Sequence, residues 1–148
     1  MFDAVFILVD GLSALAVQRH ATRLLQSILN LLDPSQWKLA PVVLVEQGRV
    51  AIGDEIADYL GSSLSVVFIG ERPGLSSPDS LGVYLTWNPR PGLTDANRNC
   101  ISNVRTEGLS YEAAAHTLLW LMNASRQREI SGVGLKEDKQ ITSPDAMT

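Results

Sequence analysis

Apolar and polar positions fall in blocks along the chain, and the block lengths decide the elements. Ala4 to Val9 (AVFILV) is a continuous apolar run rich in branched residues, closed at once by Asp10 and Gly11. A run that short, ended by a turn pair, predicts a strand buried on both faces. From Ser13 the period changes. Val17, Ala21, Leu24, Leu25, Ile28, Leu31 and Leu32 recur at spacings of three and four, with Gln18, Arg19, Thr22, Arg23, Gln26 and Asn30 on the other face. That pattern predicts an amphipathic helix. Pro34 ends it, because a residue before proline is pushed out of the α region.

The same reading continues downstream. Val42 to Val45 is a second apolar run, followed by Glu46, Gln47, Gly48 and Arg49. A short helix is predicted near Asp54, with Ile56, Tyr59 and Leu60 inward and Gly61 as its stop. Val66 to Ile69 is a third strand, and Gly82 to Trp87 (GVYLTW) a weaker fourth. A long loop is expected from Asn88 to about Gly108. Ser110 can cap a last helix from Tyr111 to about Ala124. Strands alternating with helices, and apolar throughout, predict an α/β layer fold with a mostly parallel sheet flanked by helices. Three helices are few to cover both faces, so one face or edge is expected to be covered by another chain or by a further segment.

Composition narrows the class. The 148 residues suit one domain with its own core. The net charge of −4 argues against a nucleic-acid clamp, which needs a basic stripe. A single cysteine excludes an internal disulfide and an all-cysteine metal cage. No apolar run approaches the ~20 residues needed to span a bilayer. The N-terminus has no basic n-region, so the chain reads as a soluble, intracellular domain.

Candidate chemistry gathers at strand ends, where open α/β sheets bind ligands. Asp10-Gly11-Leu12-Ser13, Glu46-Gln47-Gly48-Arg49-Val50 and Gly70-Glu71-Arg72-Pro73-Gly74 each set a carboxylate beside a glycine. Three such loops on one rim would form a backbone-lined platform with polar handles. Turns of this kind are also often glycine-rich and acidic with no ligand, and the pattern alone leaves both readings open. The dinucleotide fingerprint GxGxxG and the P-loop are absent. His20 reads as a helix-surface residue and His116 as a helix-packing one, without metal-ligand spacing. Cys100 by itself reads as a small buried hydrophobe. Arg49, Arg72, Arg90, Arg98 and Arg105 read singly as solvated surface, and together as cations able to meet phosphate or carboxylate.

Longer blocks carry a resemblance. VDGLSA (Val9 to Ala14), PVVLVEQGRVAIGDEI (Pro41 to Ile56), IGERPGLSSPDSLGVYLTWNPRPG (Ile69 to Gly92), RNCISNV (Arg98 to Val104), GLSYEAAAH (Gly108 to His116) and SGVGLK (Ser131 to Lys136) closely resemble, in order, the small subunit of ethanolamine ammonia-lyase. The blocks cover nearly all of Val9 to Lys136. The resemblance implies a Rossmann-like domain over residues 1–138 that holds adenosylcobalamin against a large catalytic subunit, with 139–148 as a polar, disordered tail. In that family the valine of GRVA, the glutamate of GERPG and the cysteine of RNCISN contact cobalamin, which falls here on Val50, Glu71 and Cys100. Val50 would offer an apolar contact, and Glu71 would accept hydrogen bonds from amides at the corrin edge or from the nucleotide loop.

No catalytic residue or metal ligand is implied on this subunit, which would be inactive alone. Neither histidine lies in the DxHxxG motif of base-replacing cobalamin domains, so the cofactor is expected to keep its own base on cobalt. The implied setting is a hetero-oligomer in the cytoplasm, free or within a bacterial microcompartment, without nucleic acid or membrane as partner. Family members carry an N-terminal extension, whereas this chain starts almost at its first strand. The alternative expectation is therefore a truncated, non-catalytic remnant that folds or binds the large subunit without holding cofactor.

Overall fold

The computed structural model describes residues 1–75 and 79–135. The expected tail at 139–148 and residues 136–138 of the expected domain lie outside the described residues. Five strands form one sheet in the order β2-β1-β3-β4-β5. The central strand β1 (Phe2–Val9) is the AVFILV run. It pairs in parallel with β2 (Val43–Val45) on one side and β3 (Ser62–Gly70) on the other. Strand β4 (Leu81–Trp87) then runs antiparallel to β3, and β5 (Arg98–Val104) antiparallel to β4.

The sheet is thus mixed, with its parallel part built on β1. The reason is connection length. A parallel crossover needs about a dozen residues or more and usually a helix. The links from β3 to β4 and from β4 to β5 are shorter than that, so the chain folds back on itself. Strand β5 lies inside the stretch expected to be a loop. RNCISNV has only Cys100, Ile101 and Val104 as apolar positions, and Ile101 and Val104 alone are buried. The strand is held by its ladder to β4 rather than by a two-sided apolar pattern.

Alternation along the strands splits the core. Ala4, Phe6, Leu8, Leu64, Val66, Phe68, Val83 and Leu85 face one side. There they meet the paired helices α2 (Thr22–Leu31) and α4 (Tyr111–Arg128). Val5, Ile7, Val9, Val67 and Ile69 face the other side, with Ala57 of α3 (Ile52–Leu60). Helix α3 packs on β3 and β1. Ser110 caps α4 by accepting the Ala113 N–H at 3.1 Å, and Gly61 ends α3 at φ +70°. Tyr59 is 90% exposed on α3 rather than inward.

The first helix begins as α1 (Ala14–Ala16), passes through a π-helical turn (Val17–Ala21) and continues as α2. A π turn adds a residue to the turn and rotates the helix beyond it. Here it buries both His20 and Ala21. At the far edge β2 is only three residues long, and its Leu44 is 76% exposed. The α3 side of β4 and β5 and the edge of β2 are where the expected shortage of cover falls among the described residues. Among those residues no helix is long and apolar enough to cross a membrane.

Candidate functional site

The three parallel strands end on one rim, and their loops are stitched together there. The Asp10 carboxylate accepts the Gln47 N–H at 2.9 Å and the Gly48 N–H at 3.3 Å. This holds Gln47 at φ +56°, a region costly for a side-chain-bearing residue. The Asp10 carboxyl is held below its ordinary 3.8, chiefly by the Gln47 N–H, with the Gly48 N–H and the Arg49 charge adding to it. Arg49 donates to the carbonyls of Gly11 and Gly48, both at 3.2 Å. The Leu12 N–H donates to the Gly70 carbonyl at 3.0 Å. Gly70 is indispensable to this crossing, since a Cβ there would lie 2.0 Å from the Ser13 oxygen and 2.6 Å from the Asp10 oxygen.

A cleft of about 230 Å³ opens between these loops. Gly11, Leu12, Val50 and Ile69 give it apolar and backbone walls, and Arg49, Glu71, Arg72 and Tyr84 give it polar ones. Val50 and Glu71 are therefore brought together as expected. A larger apolar groove of about 430 Å³ runs beside β2, between Leu44 and Val17. It gathers less varied chemistry, so the smaller cleft is the stronger candidate.

Glu71 is fixed with care. Its Oε1 accepts the Ser80 hydroxyl at 2.5 Å and the Asn103 N–H at 2.9 Å. Its own N–H donates to the Ser80 carbonyl at 3.0 Å. The carboxylate lies over Gly82, where a Cβ would come within 3.1 Å of Oε2. A larger residue in β4 would displace it.

Cys100 is exposed on β5 rather than buried, with its Sγ 3.2 Å from the Ser102 hydroxyl. It does not line the cleft. It stands directly opposite Tyr84 in the β4–β5 ladder. Tyr84, which does line the cleft, therefore joins Cys100 to Val50 and Glu71. Burial pushes the Tyr84 phenol up to about 12, and the neighbouring Cys100 and Glu71 reinforce the shift. The phenol is a neutral donor at physiological pH.

Other expected roles are redistributed. His20 is buried rather than on the helix surface: its Nδ1 is 2.5 Å from the Tyr111 hydroxyl and its Nε2 2.8 Å from Asp79. The π turn rotates it inward, which a regular helical period misplaces. His116 is exposed on α4 rather than packed. Arg98 is not solvated surface. Its guanidinium is buried and donates to Asp54 at 2.6 Å. Arg105 donates to the side chains of Asn103 and Glu107. Only Arg49 and Arg72 of the arginine group reach the cleft. Among the described residues no group of three His, Cys, Asp or Glu is placed to hold a metal ion.

Comparison with known proteins bears on this geometry directly. The family model for the ethanolamine ammonia-lyase light chain (EutC) matches residues 1–136. The chain belongs to the ethanolamine ammonia-lyase light-chain family. A relative from Azotobacter vinelandii, named ethanolamine ammonia-lyase small subunit, is 59% identical over 97% of this chain and 53% of its own length. One of the same name from Pseudomonas fluorescens (strain Pf0-1) is 60% identical over 94% of this chain and 51% of its own. Another, from Pseudomonas aeruginosa (strain LESB58), is 58% identical over 97% and 52%. The chain spans about half the length of the curated relatives it matches.

Within this light-chain framework the residues missed by sequence reasoning are Tyr84, Ser80 and Asn103. Asn103 acts across segments far apart in sequence and Ser80 across the β3–β4 link, so no helical or strand period signals them. Tyr84 did leave a trace. In GVYLTW, Val83 and Leu85 point into one core, and period-two alternation puts Tyr84 on the opposite face.

Proposed function

We propose that this chain holds adenosylcobalamin as the small subunit of an ethanolamine ammonia-lyase, seating the cofactor against a large subunit that converts ethanolamine to acetaldehyde and ammonia. The observation that carries the reading is the convergence of Val50 and Glu71 in one cleft, with Cys100 joined to it through Tyr84. These are the positions at which the family's motifs place cobalamin contacts.

The residues present fit such a group. A corrinoid is far larger than a cleft of about 230 Å³, so this chain supplies one wall and the large subunit the rest. Leu12 and Val50 give that wall apolar surface for the middle of the ring. Glu71, held by Ser80 and Asn103, gives a pre-oriented acceptor for amides at its edge. Neither histidine of the sequence reaches the cleft: His20 is engaged by Tyr111 and Asp79, and His116 is exposed on α4. The cofactor would keep its own base on cobalt. When bound, it supplies homolysis of the cobalt–carbon bond, and the protein's part is orientation and exclusion of water. The same reading makes the chain inactive alone, part of a hetero-oligomer, and cytoplasmic, free or within a bacterial microcompartment.

The test is co-expression with the cognate large subunit, followed by assay of acetaldehyde release from ethanolamine with added adenosylcobalamin. Activity requiring both chains, and weaker cobalamin retention in Glu71→Ala, is the expected result. Co-purification of the two chains without cobalamin binding would sink this reading and favour a non-catalytic remnant.

A further inference from the structure

The α3 side of β4 carries a short row of residues that no assigned contact fully explains. Gly82 and Tyr84 lie two residues apart on this face. Over Gly82 sits the Glu71 carboxylate, and opposite Tyr84 stands Cys100. Glu71 Oε1 is committed to Ser80 and Asn103. Oε2 has no donor among the described residues and is the free acceptor.

We infer that Tyr84 and Glu71 form a donor–acceptor pair that recognises a primary carboxamide on the rim of a corrinoid. This rests on the cobalamin-holding reading and adds to it a residue and a specificity.

Tyr84 and Glu71 line the same cleft. A planar carboxamide entering it can turn its oxygen toward one partner and its nitrogen toward the other. The Tyr84 hydroxyl donates to the amide oxygen, and Glu71 Oε2 accepts from the amide N–H. The phenol stays protonated because burial, reinforced by Cys100 and Glu71, raises it to about 12. A carboxylate in place of the amide would lack the N–H and would repel Glu71. An apolar substituent would leave both protein groups unpaired, the costliest kind of mismatch in a recognition site. The corrin periphery carries several primary carboxamides, which is the chemistry this pair selects.

The experiment uses the complex of this chain with its large subunit. It measures equilibrium binding of adenosylcobalamin, and of its monocarboxylic acids in which one peripheral amide is hydrolysed, by corrinoid absorbance after rapid desalting. Tyr84→Phe keeps the ring and its packing, and is expected to weaken cobalamin binding about three- to tenfold, the range for losing one neutral hydrogen bond. Wild type is expected to disfavour at least one monocarboxylic acid by about tenfold or more, as deletion of a charged hydrogen bond implies. Glu71→Gln should narrow that gap, because the amide it introduces donates to a carboxylate. Equal binding by Tyr84→Phe and wild type, or equal wild-type affinity for the amide and every acid, would overturn the inference while leaving cobalamin holding intact. A wild-type complex that binds no corrinoid would overturn both.

Discussion

Replacing Asp54 by Asn removes the countercharge of a buried guanidinium, and the loss can be sized from the contacts. Arg98 Nη1 lies 2.6 Å from Asp54 Oδ1, with both side chains only 3% exposed. At that separation and an effective dielectric of about 20, the gross attraction is about 6 kcal/mol. Desolvating both ions offsets much of this, so the pair contributes little net stability over an apolar pair of the same shape. Removing one partner is different, because the other charge stays buried. Among the described residues Arg98 would keep only Thr86 Oγ1 at 3.4 Å, the Leu93 carbonyl at 3.3 Å and Asp95 at 3.3 Å. Asp95 is 88% exposed and compensates weakly. Breaking such a pair costs about 3–5 kcal/mol. Asn retains an acceptor, which puts Asp54→Asn near the lower end, about 3 kcal/mol. For a chain of this size that is a fall of about 10 °C in Tm. Urea denaturation followed by circular dichroism reads the change in midpoint and slope. The double variant Asp54→Leu, Arg98→Met should recover most of the loss, because it leaves no charge behind. A loss under about 0.5 kcal/mol in Asp54→Asn, or a double variant no better than the single, would refute the account of β5 as tied to α3 through a buried charge.

Three further outcomes are expected. Asp79 is held below its ordinary 3.8, chiefly by His20 and next by Arg19; a lowered folded value gives stability that is complete above the unfolded value and is lost as pH falls through the folded one. Acid denaturation of wild type should therefore show a loss of stability below about pH 4 that is shallower in Asp79→Asn. Tyr84, raised to about 12 from 10.0, carries the opposite sign: its contribution is full below pH 10 and disappears as pH rises toward 12. A tyrosinate absorbance titration of wild type minus Tyr84→Phe should show its midpoint well above 10. Gly70→Ala sets a Cβ 2.0 Å from the Ser13 carbonyl oxygen, where neither backbone can yield cheaply. A loss of about 3 kcal/mol or more, or failure to recover folded protein, is expected by thermal melt, and an unchanged Tm would contradict the tight crossing at the rim.

The sequence by itself determined the elements whose signal is local. AVFILV, short and closed by a turn pair, predicted a strand covered on both sides, and the three- and four-spaced apolar residues after Ser13 a helix with one buried stripe. The glycine and acid pairs after each parallel strand marked the rim, and GRVA and GERPG put Val50 and Glu71 on it. What the sequence did not determine lies in contacts between distant segments. Strand β5 has too few apolar residues to announce itself, and exists because β4 offers it a ladder and Asp54 neutralises its buried arginine. His20 is turned inward by one extra residue in a helical turn, a change that periodicity averages away. The links after β3 are too short for crossover helices, and that leaves one face of β4 and β5 without a helix among the described residues. Glu71 is aimed by Ser80 and by Asn103, 32 residues further on, and Tyr84 meets Cys100 only across the ladder. Local propensity and burial period are written residue by residue, whereas the pairing of separated polar groups is decided only when folding brings them within hydrogen-bond reach.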